Sequence, residues 1–137
     1  MAVIAQTKAC LRIFGDDLNP DEVSEMLAAS PTQSARKGAV RGGQSQRQYI
    51  EKSGSWRFKV PDKQPGNLDA QIQQIFASLT SDISVWSDLS SRFRIDIFCG
   101  LFMDAGNEGL EICPGTLQAM GQRGVTMSLD VYDPTPD

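Results

Sequence analysis

Ala9, Leu11 and Ile13 alternate with Lys8, Cys10, Arg12 and Phe14, the period of two expected of a strand buried on one face. "LNPDEVSEML" changes the period: Val23, Met26 and Leu27 fall on one helical face, Asn19 can cap, Pro20 suits the first helical position, and Glu22 completes a capping box. Alternation returns in "SWRFKV", with Trp56, Phe58 and Val60 opposed to Arg57 and Lys59. Leu68, Ile72, Ile75, Phe76 and Leu79 form an amphipathic helix behind Asn67 as its cap. Val85, Trp86 and Leu89 continue an apolar face after a break at Ser81 or Asp82, and the tryptophan reads as core.

Phe93 to Met103 is the longest strand, and Leu110 to Cys113 reads as its short hairpin partner across the turn "DAGNEG". "CPGTLQAMGQRG" predicts a brief helix with Leu117 and Met120 inward. A last strand carries Val125, Met127, Leu129 and Val131 on its core face. Strands that are apolar on one side only argue against a doubly wound parallel sheet, whose strands are covered on both faces. The expected fold class is therefore α+β: a single domain over 1–137, with a mostly antiparallel twisted sheet of about five strands and two to four helices packed on one face. Residues 30–54 are poor in large apolar side chains and read as a long basic loop with Arg36, Lys37, Arg41, Arg47 and Lys52. Residues 134–137 read as a flexible C-terminal tail.

Composition narrows the partners. Of 137 residues, 13 are basic and 17 acidic, and the net charge of -4 makes nucleic acid an unlikely partner except through the loop cations Arg36, Lys37, Arg41 and Arg47. No apolar run approaches the ~20 residues that cross a bilayer, and "MAVIAQTKAC" is too short and weakly apolar for a signal peptide, so a cytoplasmic, membrane-free protein is expected. Cys10, Cys99 and Cys113 are odd in number and widely spaced, which predicts reduced, buried thiols rather than a disulfide framework or zinc site.

Taken in order, "LRIFGDDLNPDEVSEMLAASPT", "RKG", "SWRFKV", "RIDIFCGLF", "NEGLEI" and "LDVYD" resemble the successive landmarks of the uncharacterised bacterial family called domain of unknown function 4279. The likeness is collinear from about Ala9 to Asp133, and its specificity lies in the combination of "FCGLF", the Gly-Asn-x-Gly turn and the opening "DDLNPDE". It implies one complete small domain and brings no activity with it.

The chain has no histidine, which removes Ser-His and Cys-His nucleophile pairs and histidine general bases. No cofactor and no metal site is expected. The competing enzyme or small-molecule reading rests on Asp16, Asp17, Asp104 and Glu108 with Arg94 or Arg12, but "DAGNEGLEI" lacks the ligand alternation of an EF-hand loop. More is offered by the face turned away from the core. Alternation places Arg12 and Phe14 there from the first strand, Arg94, Asp96, Phe98, Gly100 and Phe102 from the longest, and Ser128, Asp130 and Tyr132 from the last. Aromatics, arginine and aspartate on a flat sheet have the composition of a binding interface. A partner protein, a second copy of the chain, or the basic loop folding back could each cover it. The expectation is a non-enzymatic interaction protein of immunity or antitoxin type, with Arg36, Lys37 and Arg41 as a second contact surface.

Overall fold

The computed structural model of the chain describes residues 2–43 and 47–134. Its main sheet is built from β1 (Gln6–Gly15), β2 (Gln33–Ala35), β5 (Gly54–Lys59), β6 (Arg94–Phe102) and β7 (Thr126–Tyr132), in the order β2-β5-β1-β6-β7. β3 (Val40–Arg41) and β4 (Tyr49–Ile50) form a separate two-stranded hairpin. Every pairing in the main sheet is antiparallel except β6 with β7, which run parallel.

The helices α1 (Pro20–Leu27), α2 (Leu68–Ser78), α3 (Ile83–Arg92) and α4 (Pro114–Gln122) lie against β5, β1, β6 and β7 in that order. The fold is thus α+β with helices on one sheet face. Their apolar stripes meet the inward side chains of the strands, and Leu11, Ile13, Trp56, Ile72, Ile75, Trp86, Leu89 and Ile97 are fully buried. Trp86 donates its indole N–H to the Thr80 carbonyl at 2.8 Å and meets the Phe76 ring edge-on at 5.9 Å. One polar cluster is buried among them. Gln71 accepts from the Thr7 hydroxyl at 2.7 Å and donates to the carbonyls of Thr7 and Pro61 at 3.0 and 2.9 Å, which ties α2 to the start of β1.

Asn19 and Asn67 cap α1 and α2 as the sequence predicts, and Asp82 caps α3 at the expected break. Glu22, however, does not close a capping box; its carboxylate accepts from Arg92 at 2.6 Å and links α1 to α3. Leu110–Cys113 is not a strand, because both edges of β6 are already taken, by β1 on one side and β7 on the other. The fifth strand of the main sheet is instead β2, which lies inside the segment read as a loop. Leu117 does not turn inward on α4: it is exposed, while Thr116 and Met120 are buried. Leu129 and Val131 share the core-side face of β7 but are exposed, because α4 packs against this strand without covering them. Residues 135–137 of the expected tail lie outside the described residues. No helix among the described residues is long and apolar enough to cross a membrane.

Candidate functional site

Among the described residues no helix packs on the second face of the sheet. Register fixes what it displays: Cys10 lies between Lys59 and Phe98, Arg12 between Arg57 and Asp96, and Lys8 beside Gly100. On β7, Ser128, Asp130 and Tyr132 stand beside Phe98, Gly100 and Phe102. Gly100 leaves a gap in a row of large side chains, and the gap is the floor of a cleft of about 290 Å³ lined by Lys8, Cys10, Lys59, Phe98, Phe102 and Tyr132. A β-carbon at Gly100 would stand 3.1 Å from the Phe102 ring, so the cleft depends on glycine at this position.

The walls are ordered by aromatic contacts. Phe102 and Tyr132 stack with centroids 4.6 Å apart and planes 2° from parallel. Tyr132 donates to Asp130 at 2.6 Å, and that carboxylate holds the phenol above its ordinary pKa. Cations sit over the rings: Lys8 over Phe102 at 5.3 Å, Arg12 over Phe98 at 4.5 Å and Phe14 at 5.2 Å, and Arg57 over Phe14 at 5.3 Å.

Beneath the arginine row lies a buried carboxylate. Asp96 is 1% exposed although it belongs to the face without helices. It receives Arg12 in a two-point clamp, Nε to Oδ1 at 2.8 Å and Nη2 to Oδ2 at 2.6 Å, and the Ser128 hydroxyl donates to Oδ2 at 3.1 Å. The hydrogen bond to Asp96 raises the pKa of Arg12 against the opposing effect of burial. Arg94 stands 3.7 Å from the same carboxylate and is otherwise exposed. The ion pair thus joins β1 to β6 and keeps the guanidinium over the Phe98 ring, and the Ser128 hydroxyl ties β7 to the same carboxylate. Burial raises the Cys10 thiol above its ordinary pKa despite the nearby cations Arg57, Arg12 and Lys59, so this cysteine is poorly suited to act as a thiolate nucleophile.

A family model described as domain of unknown function DUF4279 matches residues 5–134, nearly the whole chain. The chain belongs to this family. No curated protein and no solved structure matches the DUF4279 chain.

The DUF4279 sheet brings Arg12, Phe14, Arg94, Asp96, Phe98, Phe102, Asp130 and Tyr132 to one face, and it keeps the loop cations apart from them. Arg36 donates to Asn19 at 3.0 Å, Lys37 pairs with Asp16 at 3.1 Å, and Arg41 pairs with Glu51 at 3.1 Å and donates to the Ser34 carbonyl. Their hydrogen-bonding capacity is spent partly on anchoring the segment to the body. The acidic residues do not converge. Asp16 and Asp17 follow β1 and Asp104 and Glu108 follow β6, and because those strands are antiparallel over Gln6–Phe14 the two groups stand at opposite ends of the sheet, roughly 25 to 30 Å apart at about 3.4 Å per residue. Glu108 accepts the Asp104 N–H at 2.8 Å, a bond local to the turn. Among the described residues no three histidine, cysteine or acidic side chains are grouped to hold a metal ion.

Sequence reasoning did not assemble the cleft, because Lys59 enters it, with Arg57 beside Arg12, only once β5 is known to lie beside β1. The signal was present in "SWRFKV", where the same alternation that buries Trp56 turns Arg57 and Lys59 to the other side.

Proposed function

We propose that the protein is a non-catalytic binding protein whose helix-free sheet face receives an acidic segment of a partner protein. The observation that carries this reading is the Gly100 cleft, lined by the rings of Phe98, Phe102 and Tyr132 together with the basic residues Lys8 and Lys59. An apolar side chain seated over Gly100 would gain burial against Phe98 and Phe102, and adjacent carboxylates would meet Lys8, Lys59 and Arg57. The arrangement has the make-up of an interface centre, with aromatic and arginine anchors fixed before binding. Lys8 is partly engaged by Asp62 at 3.5 Å, a half-exposed pair that an incoming carboxylate can replace.

The role we propose for this binding is that of an immunity or antitoxin protein, which masks a surface of another protein by shape and charge. The absence of histidine and the protonated state favoured for Cys10 support binding over catalysis. Panning the wild-type protein against a random peptide library should select sequences that join carboxylates to a large apolar side chain. The Lys8→Glu/Lys59→Glu double variant should select none of them. Enrichment of neutral or basic peptides, or equal selection by the double variant, would refute the proposal. For the specific role, a toxin whose activity the protein does not suppress, encoded beside it, would count against immunity.

A further inference from the structure

Natural sheets usually close their edges with lysine, proline, a bulge or a very short outer strand. The β2 edge follows this rule with three residues. The β7 edge does not: Thr126–Tyr132 runs for seven residues without lysine, proline or glycine, and Asp130 is its one charged side chain. Met127, Leu129 and Val131 stand beside the core residues Ile97, Cys99 and Leu101, yet Leu129 is 54% and Val131 56% exposed. Among the described residues, apolar side chains and unpaired backbone therefore coincide on one edge.

The direction of that backbone follows from a single bond. Met103 N–H donates to the Tyr132 carbonyl at 3.2 Å, so Tyr132 turns its polar groups toward β6. Alternation sends those of Asp130, Ser128 and Thr126 the same way and those of Met127, Leu129 and Val131 outward. The outward groups belong to the same three residues whose side chains are apolar.

We infer that β7 pairs antiparallel with β7 of a second copy of this chain, about a twofold axis at Leu129. Leu129 then faces Leu129, Met127 faces Val131, Ser128 faces Asp130 and Thr126 faces Tyr132. All outward groups of the three apolar residues fall in hydrogen-bonded pairs, which closes about six N–H···O bonds. Asp130 meets serine rather than a second aspartate, so no like charges stand opposed. Neighbouring registers are worse: an axis at Val131 sets Leu129 against Asp133, and an axis at Met127 leaves Val131 beyond the pairing. This self-complementarity is what a twofold interface requires, and it selects a second copy over an unrelated strand. The edge shares Tyr132 with the Gly100 cleft, but the inference is argued from the backbone and apolar side chains of β7 and does not depend on the cleft.

Light scattering during size exclusion, and sedimentation equilibrium, should give twice the chain mass for the wild-type protein, falling to the single-chain mass on dilution. Leu129→Pro removes an outward N–H that β6 does not use, and Leu129→Lys places two ammonium groups at the axis; both should give folded monomers with unchanged circular dichroism. As a positive check, Leu129→Cys with Cys113→Ser should oxidise to a covalent dimer, since paired α-carbons in a hydrogen-bonded antiparallel pair stand about 5.5 Å apart, within disulfide reach. A wild-type protein that stays monomeric at its highest soluble concentration would overturn the inference. So would a dimer that survives Leu129→Pro and Leu129→Lys, or one that Leu129→Cys fails to lock.

Discussion

Replacing Arg12 by methionine tests the ion pair beneath the candidate site. The side chain keeps most of its length over Phe98 but loses both charged donors, leaving Asp96, 1% exposed, with Ser128 at 3.1 Å and Arg94 at 3.7 Å. Removing one partner of a buried ion pair costs about 3 to 5 kcal/mol, because the remaining charge stays desolvated. Arg94 offsets part of that by moving closer, so the lower end, about 3 kcal/mol, is expected from the broken clamp. That is a large share of the roughly 5 to 15 kcal/mol that holds a domain of this kind together. With a denaturant slope of about 1.5 kcal/mol/M, the urea midpoint should fall by about 2 M. Adding Asp96→Asn should recover most of the loss, since a neutral amide beside methionine costs far less to bury than a lone carboxylate. The assay is urea unfolding of the wild-type protein, both single variants and the double variant, followed by tryptophan fluorescence. If Arg12→Met lies within about 1 kcal/mol of wild type, or the double variant is no more stable than Arg12→Met, the pair does not act as argued.

The Gln71→Leu variant should lose about 2 to 4 kcal/mol by urea unfolding, because three hydrogen bonds disappear and the Pro61 carbonyl and the Thr7 hydroxyl proton lose their partners, while the Asn67 and Lys63 N–H groups still reach Thr7; a loss below about 1 kcal/mol would show that the cluster relaxes. Burial pushes the Cys99 thiol from 9.0 up to about 12, so the folded chain keeps a proton that the unfolded chain releases. Stability should therefore fall as pH rises from 9.0 toward about 12, less steeply in Cys99→Val, and parallel curves for the two proteins would contradict this. In Gly100→Val the β-carbon alone stands 3.1 Å from the Phe102 ring, so the ring must shift and stability should fall by about 1 to 3 kcal/mol, with the fold kept by circular dichroism, while capture of acidic peptides is lost; retained capture would move the binding site elsewhere.

Alternation and helical spacing carried most of the fold. Residues whose environment is set by their own element, such as Trp56, Ile72, Trp86 and Ile97, were legible because burial on one face leaves a periodic trace. Pairing left no such trace. Leu110–Cys113 is apolar enough to read as a strand, and only the presence of β7 on the far side of β6 excludes it. β2 was hidden for the opposite reason: an edge strand of three residues, Gln33–Ala35, needs no alternation to join β5. The two arms of the candidate site differed likewise. Phe98, Gly100 and Phe102 share one strand, so their common side was readable, whereas the approach of Lys59 depends on a neighbour distant in sequence.

β1 is the middle strand of the sheet, yet it comes first in the chain, and its neighbours β5 and β6 begin at Gly54 and Arg94. During synthesis the central strand therefore leaves the ribosome with neither edge partnered, and its second edge stays open until Phe102 has followed. Pairings this far apart in sequence are slow to close, because the intervening chain must be ordered before they form. The nascent protein thus passes through a stage in which Leu11 and Ile13 have no sheet to join, and this is the interval in which a chaperone would matter most.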